Sequence, residues 1–158
     1  ISQNDGRAVL LPASSPVAEI YNNTFYIRPD VPFIATNSDA VGPMIVKNNI
    51  IYRNGIAAKE ENWYPEITQS ENNVFFGYEN PPVEQGNNWN ADPGLQAPGT
   101  GQTGSVQQSA LNSLDGYRLK PDSIAIGKGI PLPENDLEKD FFGQPLSEVS
   151  SIGAHQPR

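Results

Sequence analysis

One pattern decides the fold of this chain and recurs four times: IYNNTFY (residues 20–26), VKNNIIY (46–52), ENNVFF (71–76) and GNNW (86–89). In each copy, a pair of asparagines follows or precedes a short run of β-branched and aromatic residues. The first asparagines of the first three pairs lie 26 residues (22 to 48) and 24 residues (48 to 72) apart. This is the period of a solenoid in which every turn of the chain adds one layer. The repeat predicts an all-β solenoid of about three to four coils.

The asparagine pairs are expected to form the corners between strands. Residues 17–21 (VAEIY) and 24–27 (TFYI) flank the first pair, and 43–47 (PMIVK) and 50–52 (IIY) flank the second. Asparagine tolerates a left-handed backbone better than most residues, which suits a tight corner. Stacked layers would place equivalent amides about 4.8 Å apart, where they can hydrogen-bond in a ladder. The asparagines are therefore predicted to be structural.

A leucine-rich repeat also has a period near this length and carries an asparagine. It requires leucine at several positions in every turn, and this chain has no leucine between Leu11 and Leu95. The sequence excludes that architecture.

Composition excludes several classes of function. The chain has 158 residues, a formal net charge of −8 and no cysteine. Phosphate neutralisation needs clustered Lys and Arg, so a nucleic-acid partner is not expected. No apolar run reaches membrane-spanning length, so no membrane partner is expected either. The acidity favours ligands that are neutral or bridged by a cation.

The composition and the hydrophobic pattern of the sequence change along the chain and divide it into three parts. Residues 1–95 hold the repeat and are predicted to form the coils with their asparagine corners. Residues 96–116, which include the polar stretch QAPGTGQTGSVQQS, are predicted to be a loop. Residues 117–158 alternate short apolar pieces with Pro and Gly, and are predicted to form terminal strands and a cap of the same domain.

The second half of the chain resembles the carboxy-terminal end of right-handed parallel β-helix proteins of the pectate-lyase-like class, which are found among secreted bacterial polysaccharide-degrading enzymes. The matches follow the family's order over about 70 residues. They are Asn87, Asn88 and Trp89; Asp92, Pro93 and Gly94; Tyr117, Arg118 and Leu119; Ser123, Ala125, Ile126 and Gly129; Asp140, Phe141 and Gly143; and Ile152, Gly153 and Ala154.

The chain departs from the family pattern at Ile124, Gly127, Phe142 and His155. The resemblance implies a right-handed parallel β-helix whose end is covered by a cap, because an uncovered last layer would expose unpaired strand edges. It also implies a secreted or cell-surface bacterial protein. The chain opens at Ile1 without a Met or a signal-like segment. We therefore expect amino-terminal coils of the same protein to precede it and to act as its partner.

The resemblance further implies that a linear polysaccharide binds along one stacked sheet. Polysaccharide lyases need a base and a cation, and glycoside hydrolases need two carboxylates roughly 5–9 Å apart. One segment concentrates such groups. We predict Glu60 and Glu61 as catalytic carboxylates, and as substrate-binding residues Arg53, Lys59, Trp63 and Tyr64. The alternative is that this Lys-Glu-Glu run is an exposed, solvated loop.

Two further residues are candidates for catalysis. Asp39 follows Asn37 and Ser38, where an Asx turn explains the cluster equally well. Lys47 precedes a predicted corner and would point outward as a base or cation, or would only place a charge on a sheet face. The single histidine, His155, is predicted to belong to the cap. No metal site or other cofactor is predicted; the carboxylates would allow calcium, but no calcium-binding motif is present.

The leading interpretation is the carboxy-terminal β-helix part of an exported carbohydrate-active protein, either a lyase or a glycoside hydrolase. Activity then belongs to the full-length protein, and this part alone need not be active. The alternatives are a non-catalytic adhesion or assembly module and a structural fragment with no function of its own.

Overall fold

The computed structural model describes residues 2–4, 9–11, 17–36, 42–55, 68–81, 86–101, 108–132 and 138–157. Within these ranges the secondary structure is almost entirely short strands. The strands are β1 (Ser2–Asn4), β2 (Val9–Leu11), β3 (Ala18–Tyr21), β4 (Thr24–Ile27), β5 (Ile34–Thr36), β6 (Met44–Lys47), β7 (Ile50–Arg53), β8 (Thr68–Glu71), β9 (Val74–Phe76) and β10 (Trp89–Asn90). A 3-10 helix spans Gln108–Tyr117. No helix in these ranges has the length and apolar character that a membrane span requires.

The strands pair in parallel with their counterparts in the next repeat. One sheet has the order β1-β4-β7-β9-β10, a second has the order β3-β6-β8, and a third pairs β2 with β5. The register keeps equivalent residues side by side, so Phe25 lies next to Ile51 and Ile51 next to Phe75. The prediction of an all-β protein with parallel strands is therefore confirmed.

The first asparagine of each of the first three pairs makes the corner between two strands, and that of the fourth pair precedes β10. Asn22, Asn48, Asn72 and Asn87 have φ angles of 52°, 56°, 51° and 55°. This is the left-handed conformation expected from the sequence. The predicted strands on either side of the first two pairs are also confirmed, as β3 and β4 and as β6 and β7.

The second asparagines lie above one another, and we call Asn23, Asn49, Asn73 and Asn88 the inner asparagine column. The backbone N–H of Asn23 donates to Oδ1 of Asn49 at 2.9 Å, and that of Asn49 donates to Oδ1 of Asn73 at 2.9 Å. Asn73 donates in the same way to Asn88 at 2.9 Å. The side-chain amides repeat the pattern, from Asn49 to Asn73 at 3.0 Å and from Asn73 to Asn88 at 2.9 Å. Each corner is thus bonded to the next one.

Apolar residues fill the space between the sheets. Phe25, Ile51 and Phe75 form one stacked row, and Ile20 and Val46 face them from the β3-β6-β8 sheet. All five are at most 9% exposed. At about 25 cal/mol per Å² of buried apolar area, such rows are the main stabilising term of the fold.

A second apolar cluster joins the strands to the carboxy-terminal half of the chain. Its members are Ile50, Val74, Leu95, Leu114, Tyr117, Leu119, Ala125 and Ile152. The sequence predicts a loop over 96–116, but the 3-10 helix takes up its second part. Leu114 and Tyr117 explain the helix, because residues three apart share one side of a 3-10 helix and both side chains are buried here.

Residues 138–157, which we call the tail, fold back along the corners. The backbone N–H of Gly153 donates to the carbonyl of Asn48 at 2.8 Å. The N–H of Ala154 donates to Oγ1 of Thr24 at 3.1 Å. The end of the chain therefore lies beside its first described repeats.

Candidate functional site

Most of the residues predicted to act on a ligand lie outside the described residues. They are Asp39, Lys59, Glu60, Glu61, Trp63 and Tyr64. Their roles stay predictions. The two remaining candidates, Arg53 and Lys47, are described. Arg53 lies in the core, and Lys47 lies on the outside of the β3-β6-β8 sheet.

Arg53 is the last residue of β7 and points into the core. It is 1% exposed, and its Nη1 donates to the carbonyls of Val31 at 2.7 Å and Pro29 at 3.1 Å. Its guanidinium lies 4.6 Å from the centre of the Tyr78 ring. Burial raises the pKa of Tyr78 to about 12, although the charge of Arg53 opposes the rise. This placement does not fit the substrate-binding role expected from the sequence, because a buried guanidinium that holds the 29–31 turn cannot contact a ligand on the surface.

Lys47 is the last residue of β6, in the middle of the three-stranded sheet, and it points away from the core. Residues of these strands alternate between the core and the surface, as a sheet with one buried face requires. The register places Tyr21, Lys47 and Glu71 in one row across the three strands. A second row contains Glu19, Ile45 and Gln69. These six residues form what we call the outer face.

An ion pair and a tyrosine dominate the outer face. The Nζ of Lys47 lies 2.6 Å from Oε2 of Glu71, with the two side chains 20% and 44% exposed. Burial, followed by the charge of Glu19, raises the pKa of Tyr21, whose side chain also shares a hydrogen bond with Glu19. An aromatic ring, a cation and a carboxylate thus lie on adjacent strands, spaced by the strand separation of about 4.8 Å.

A cavity adjoins the outer face at Tyr21. Its volume is about 340 Å³, and its walls come from the first corner and the tail: Tyr21, Asn22, Asn23, Lys139, Asp140, Phe141, Leu146, Gly153, Ala154 and Gln156. A second cavity, of about 190 Å³, shares Asn22 and Leu146 with the first and extends to residues 130–132, Ser147, Glu148 and Ser150. The sequence patterns indicate only that these residues belong to a corner and to the cap. No local pattern shows that the tail lies against the first corner.

Asp140, the carboxylate in this cavity wall, is already satisfied by the backbone. Its Oδ1 accepts from the N–H groups of Phe142 at 2.9 Å and Gln144 at 2.7 Å. Its Oδ2 accepts from the N–H of Gln156 at 2.8 Å. Three such bonds fix the carboxylate as the centre of a turn, so Asp140 is structural.

His155 belongs to the tail and is buried. Its Nδ1 accepts from the N–H of Leu119 at 3.0 Å, and its ring meets that of Phe142 edge to face. Burial lowers the pKa of His155, and the charge of Arg118 adds to this effect. Across the described part of the chain, no group of three or more His, Cys, Asp or Glu side chains is arranged to hold a metal ion.

Comparison with known proteins gives one informative similarity. No protein-family model matches the chain. The chain is 30% identical over 172 residues to a lacto-N-biosidase, a glycoside hydrolase of Bifidobacterium longum subsp. longum. The alignment covers 98% of this chain and 11% of that enzyme, so the chain spans about a tenth of the length of its relative. The similarity supports a carbohydrate-active role in general terms.

Proposed function

We propose that this chain is the carboxy-terminal part of a right-handed parallel β-helix in an exported, carbohydrate-active bacterial protein. Parallel pairing of each strand with its counterpart one repeat later supports the β-helix, as does the inner asparagine column that links successive corners. The similarity to a bacterial glycoside hydrolase supports the carbohydrate-active role. Export is proposed because the polysaccharide-degrading β-helix proteins that the chain resembles are secreted.

The proposed activity of this part is to bind a linear glycan across the outer face. The observation that carries this proposal is the row of Tyr21, Lys47 and Glu71 on three adjacent parallel strands. Tyrosine offers an apolar ring for the C–H face of a sugar and a hydroxyl for its polar edge. Charged groups beside it make strong hydrogen bonds to sugar hydroxyls. Rows that repeat at the strand spacing suit a polymer better than a compact ligand.

In a catalytic version of this function, the reacting groups are supplied by the connections that enter the same sheet. Glu60 and Glu61 lie in the connection from β7 to β8, and Asp39 lies in the connection from β5 to β6. β6 and β8, the strands that follow these two connections, are parallel neighbours in one sheet. We propose Glu60 and Glu61 as the acid and base of hydrolysis. Lys47, as the positive partner of Glu71, is better suited to orient a substrate than to take its proton.

Binding of soluble glycans to the purified chain tests the proposal. Neutral and uronic-acid oligosaccharides would be titrated against the chain by calorimetry. A neutral or cation-dependent ligand should bind, and Tyr21→Ala and Glu71→Gln should each weaken it roughly tenfold, as the loss of about 1.4 kcal/mol of contact requires. Tyr52→Phe and Glu79→Gln are the matched controls and should bind as the wild type does. If no oligosaccharide binds, or if the outer-face variants match the controls, the proposal is wrong.

The second candidate is a non-catalytic β-helix module used for adhesion or assembly. The ion pair favours it, because Lys47 and Glu71 satisfy each other without a substrate. The double variant Glu60→Gln/Glu61→Gln in the full-length protein separates the two candidates. A hydrolase that uses these carboxylates would lose turnover by about two to four orders of magnitude. A module would keep its fold and its binding.

A further inference from the structure

The first asparagines of the repeats have different partners, although their backbone conformations match. The Nδ2 of Asn72 donates to the carbonyl of Lys128 at 2.7 Å. The Nδ2 of Asn48 donates to the carbonyl of Ile130 at 2.8 Å, and its Oδ1 accepts from the N–H of Ile130 at 2.9 Å. Among the described residues, the amide of Asn22 has no such partner, and its Oδ1 is buried without a hydrogen bond.

The difference arises from the path of residues 128–132. Lys128 contacts Asn72 at the third corner, and Ile130 contacts Asn48 at the second corner. Two residues of chain therefore span one layer. A further step would bring Leu132 to Asn22. Instead, the cavity of about 190 Å³ lies between Asn22 and residues 130–132. Residues 128–132 therefore hydrogen-bond to the third and second corners and not to the first, and the groove lies at the first corner.

The tail completes this groove on the other side. The larger cavity, of about 340 Å³, continues from Asn22 to Tyr21 on one wall and to Phe141 and Gln156 on the other. Phe141 is 40% exposed, so part of its ring is open to a ligand in the larger cavity. The two cavities share Asn22 and Leu146 in their walls, and we call the pair the Asn22 groove.

We propose that the Asn22 groove binds one sugar ring of a neutral glycan. The volume falls in the range of small-ligand sites, which is about 300–1,000 Å³. The rings of Tyr21 and Phe141 can contact the C–H faces of a pyranose. Asn22 lines both cavities, and its amide carries a donor and an acceptor of the kind that sugar hydroxyls bind.

Charge selects the class of sugar. The chain carries a net charge of −8, and the groove includes Glu148 as well as Asp140. Only Lys139 opposes them among the groove residues, so a uronic acid would be repelled. Tyr21 belongs to both the groove and the outer face, so this inference rests on the proposed function and assigns the groove to a sugar at one end of the bound glycan.

Side-chain NMR of the chain tests the groove directly. The ¹⁵N-labelled chain would be titrated with lactose, cellobiose, diacetylchitobiose and digalacturonate, following the side-chain amides of Asn22 and Gln156. A neutral disaccharide should shift both amides. Asn22→Gly removes the amide and still permits a φ of 52°; this variant and Phe141→Ala should each bind at least about tenfold more weakly. Ile124→Ala, an exposed apolar residue outside both cavities, is the control and should bind as the wild type does.

Three results would overturn the inference. If sugars bind and shift only outer-face signals, with Asn22→Gly unaffected, the groove is not the site although the proposed function stands. If digalacturonate binds in preference to the neutral sugars, the class is wrong. If a polypeptide that extends upstream of Ile1 protects Tyr21–Asn23 from hydrogen exchange without sugar, a protein segment fills the groove. Failure of every sugar to bind anywhere would remove the proposed function itself.

Discussion

The stacked strands and the tail are both held by hydrogen bonds to asparagine corners, but in different ways. Between layers one contact repeats, from each member of the inner asparagine column to the next. Each contact of the tail occurs once, such as those of Gly153 with Asn48 and His155 with Leu119. A repeated contact is stabilised by its neighbours, whereas a single contact depends on one local fit. The layers should therefore fail together, and the tail should be able to loosen alone.

Breaking the inner asparagine column should have the largest effect. Asn49 is 0% exposed, and its Nδ2 donates to the carbonyls of Ile20 at 2.7 Å and Lys47 at 2.9 Å. Its Oδ1 accepts from the N–H of Asn23. Asn49→Ala leaves these groups buried and unsatisfied, and should lower the free energy of unfolding by roughly 3–5 kcal/mol. Urea unfolding measures this.

The control for Asn49→Ala is Asn54→Ala, at an exposed position just beyond β7. It should change the stability by less than about 0.5 kcal/mol. A loss of similar size in both variants would show that the column does not hold the layers together.

A steric clash in the tail should lower the free energy of unfolding by a smaller amount, and its effect should be confined to the tail. A Cβ at Gly153 would lie 2.6 Å from Cδ1 of Ile50 and 2.9 Å from Oγ1 of Thr24, at a φ of +91°. Gly153→Ala should cost roughly 2–4 kcal/mol, from backbone strain and overpacking together. Hydrogen exchange should rise in the tail before it rises in β4 and β7.

Gly143 provides a matched control for Gly153. Its φ is +81°, but a Cβ there meets nothing within 4 Å. Gly143→Ala should therefore show only the backbone strain, roughly 1–2 kcal/mol. If the two variants lose the same stability, the contact with Ile50 does not secure the tail.

Protonation of His155 at low pH should destabilise the tail, by a smaller free energy than Gly153→Ala does. Burial holds the pKa of His155 below 6.5 in the folded chain, with help from Arg118 and against the charges of Asp140 and Asp115. Below a pH of about 6.5 the unfolded chain therefore binds more protons than the folded chain. The stabilising contribution is complete above that pH and is lost as the pH falls towards the folded-state pKa. Protonated Nδ1 also cannot accept from Leu119.

Urea unfolding of the wild type and His155→Gln between pH 7.5 and 5.5 tests this effect. Carboxylates contribute equally to both proteins, so the difference between the two curves isolates the histidine. The wild type should lose more stability than the variant as the pH falls. Parallel curves would mean that His155 does not link the tail to pH.

The sequence predicts the layers well because their information is local and repeated. A left-handed Asn48 between two β-branched runs needs no knowledge of the rest of the chain to be recognised as a corner. The spacing between pairs predicts that the strands stack in parallel. Even the outward direction of Lys47 follows from alternation along β6.

The candidate site was harder to predict because it depends on contacts between distant residues. Arg53 and Lys47 are both cations near an asparagine pair. Only the tertiary structure shows that Arg53 is buried against Val31 and that Lys47 pairs with Glu71. The Asn22 groove depends on where residues 128–132 leave the corners, and no local pattern encodes that point. The Asp-Phe-x-Gly turn around Phe141 was the available signal, but it indicated only a cap.

Removing the cation of the outer face should have the smallest effect on stability. The Lys47–Glu71 pair is partly exposed, and Glu71 is 44% exposed, so solvent screens much of its attraction. Lys47→Met keeps the length and apolar stem of the side chain, and should change the free energy of unfolding by less than about 1 kcal/mol. The same variant should weaken glycan binding, because a charged hydrogen-bond donor is lost from the row with Tyr21. Lys120→Met, an exposed lysine outside the outer face, should change neither property. If Lys47→Met lowers the stability strongly and leaves the glycan affinity unchanged, Lys47 has a structural role, as Arg53 does. The outer face would then lack the central contact of the proposed binding site.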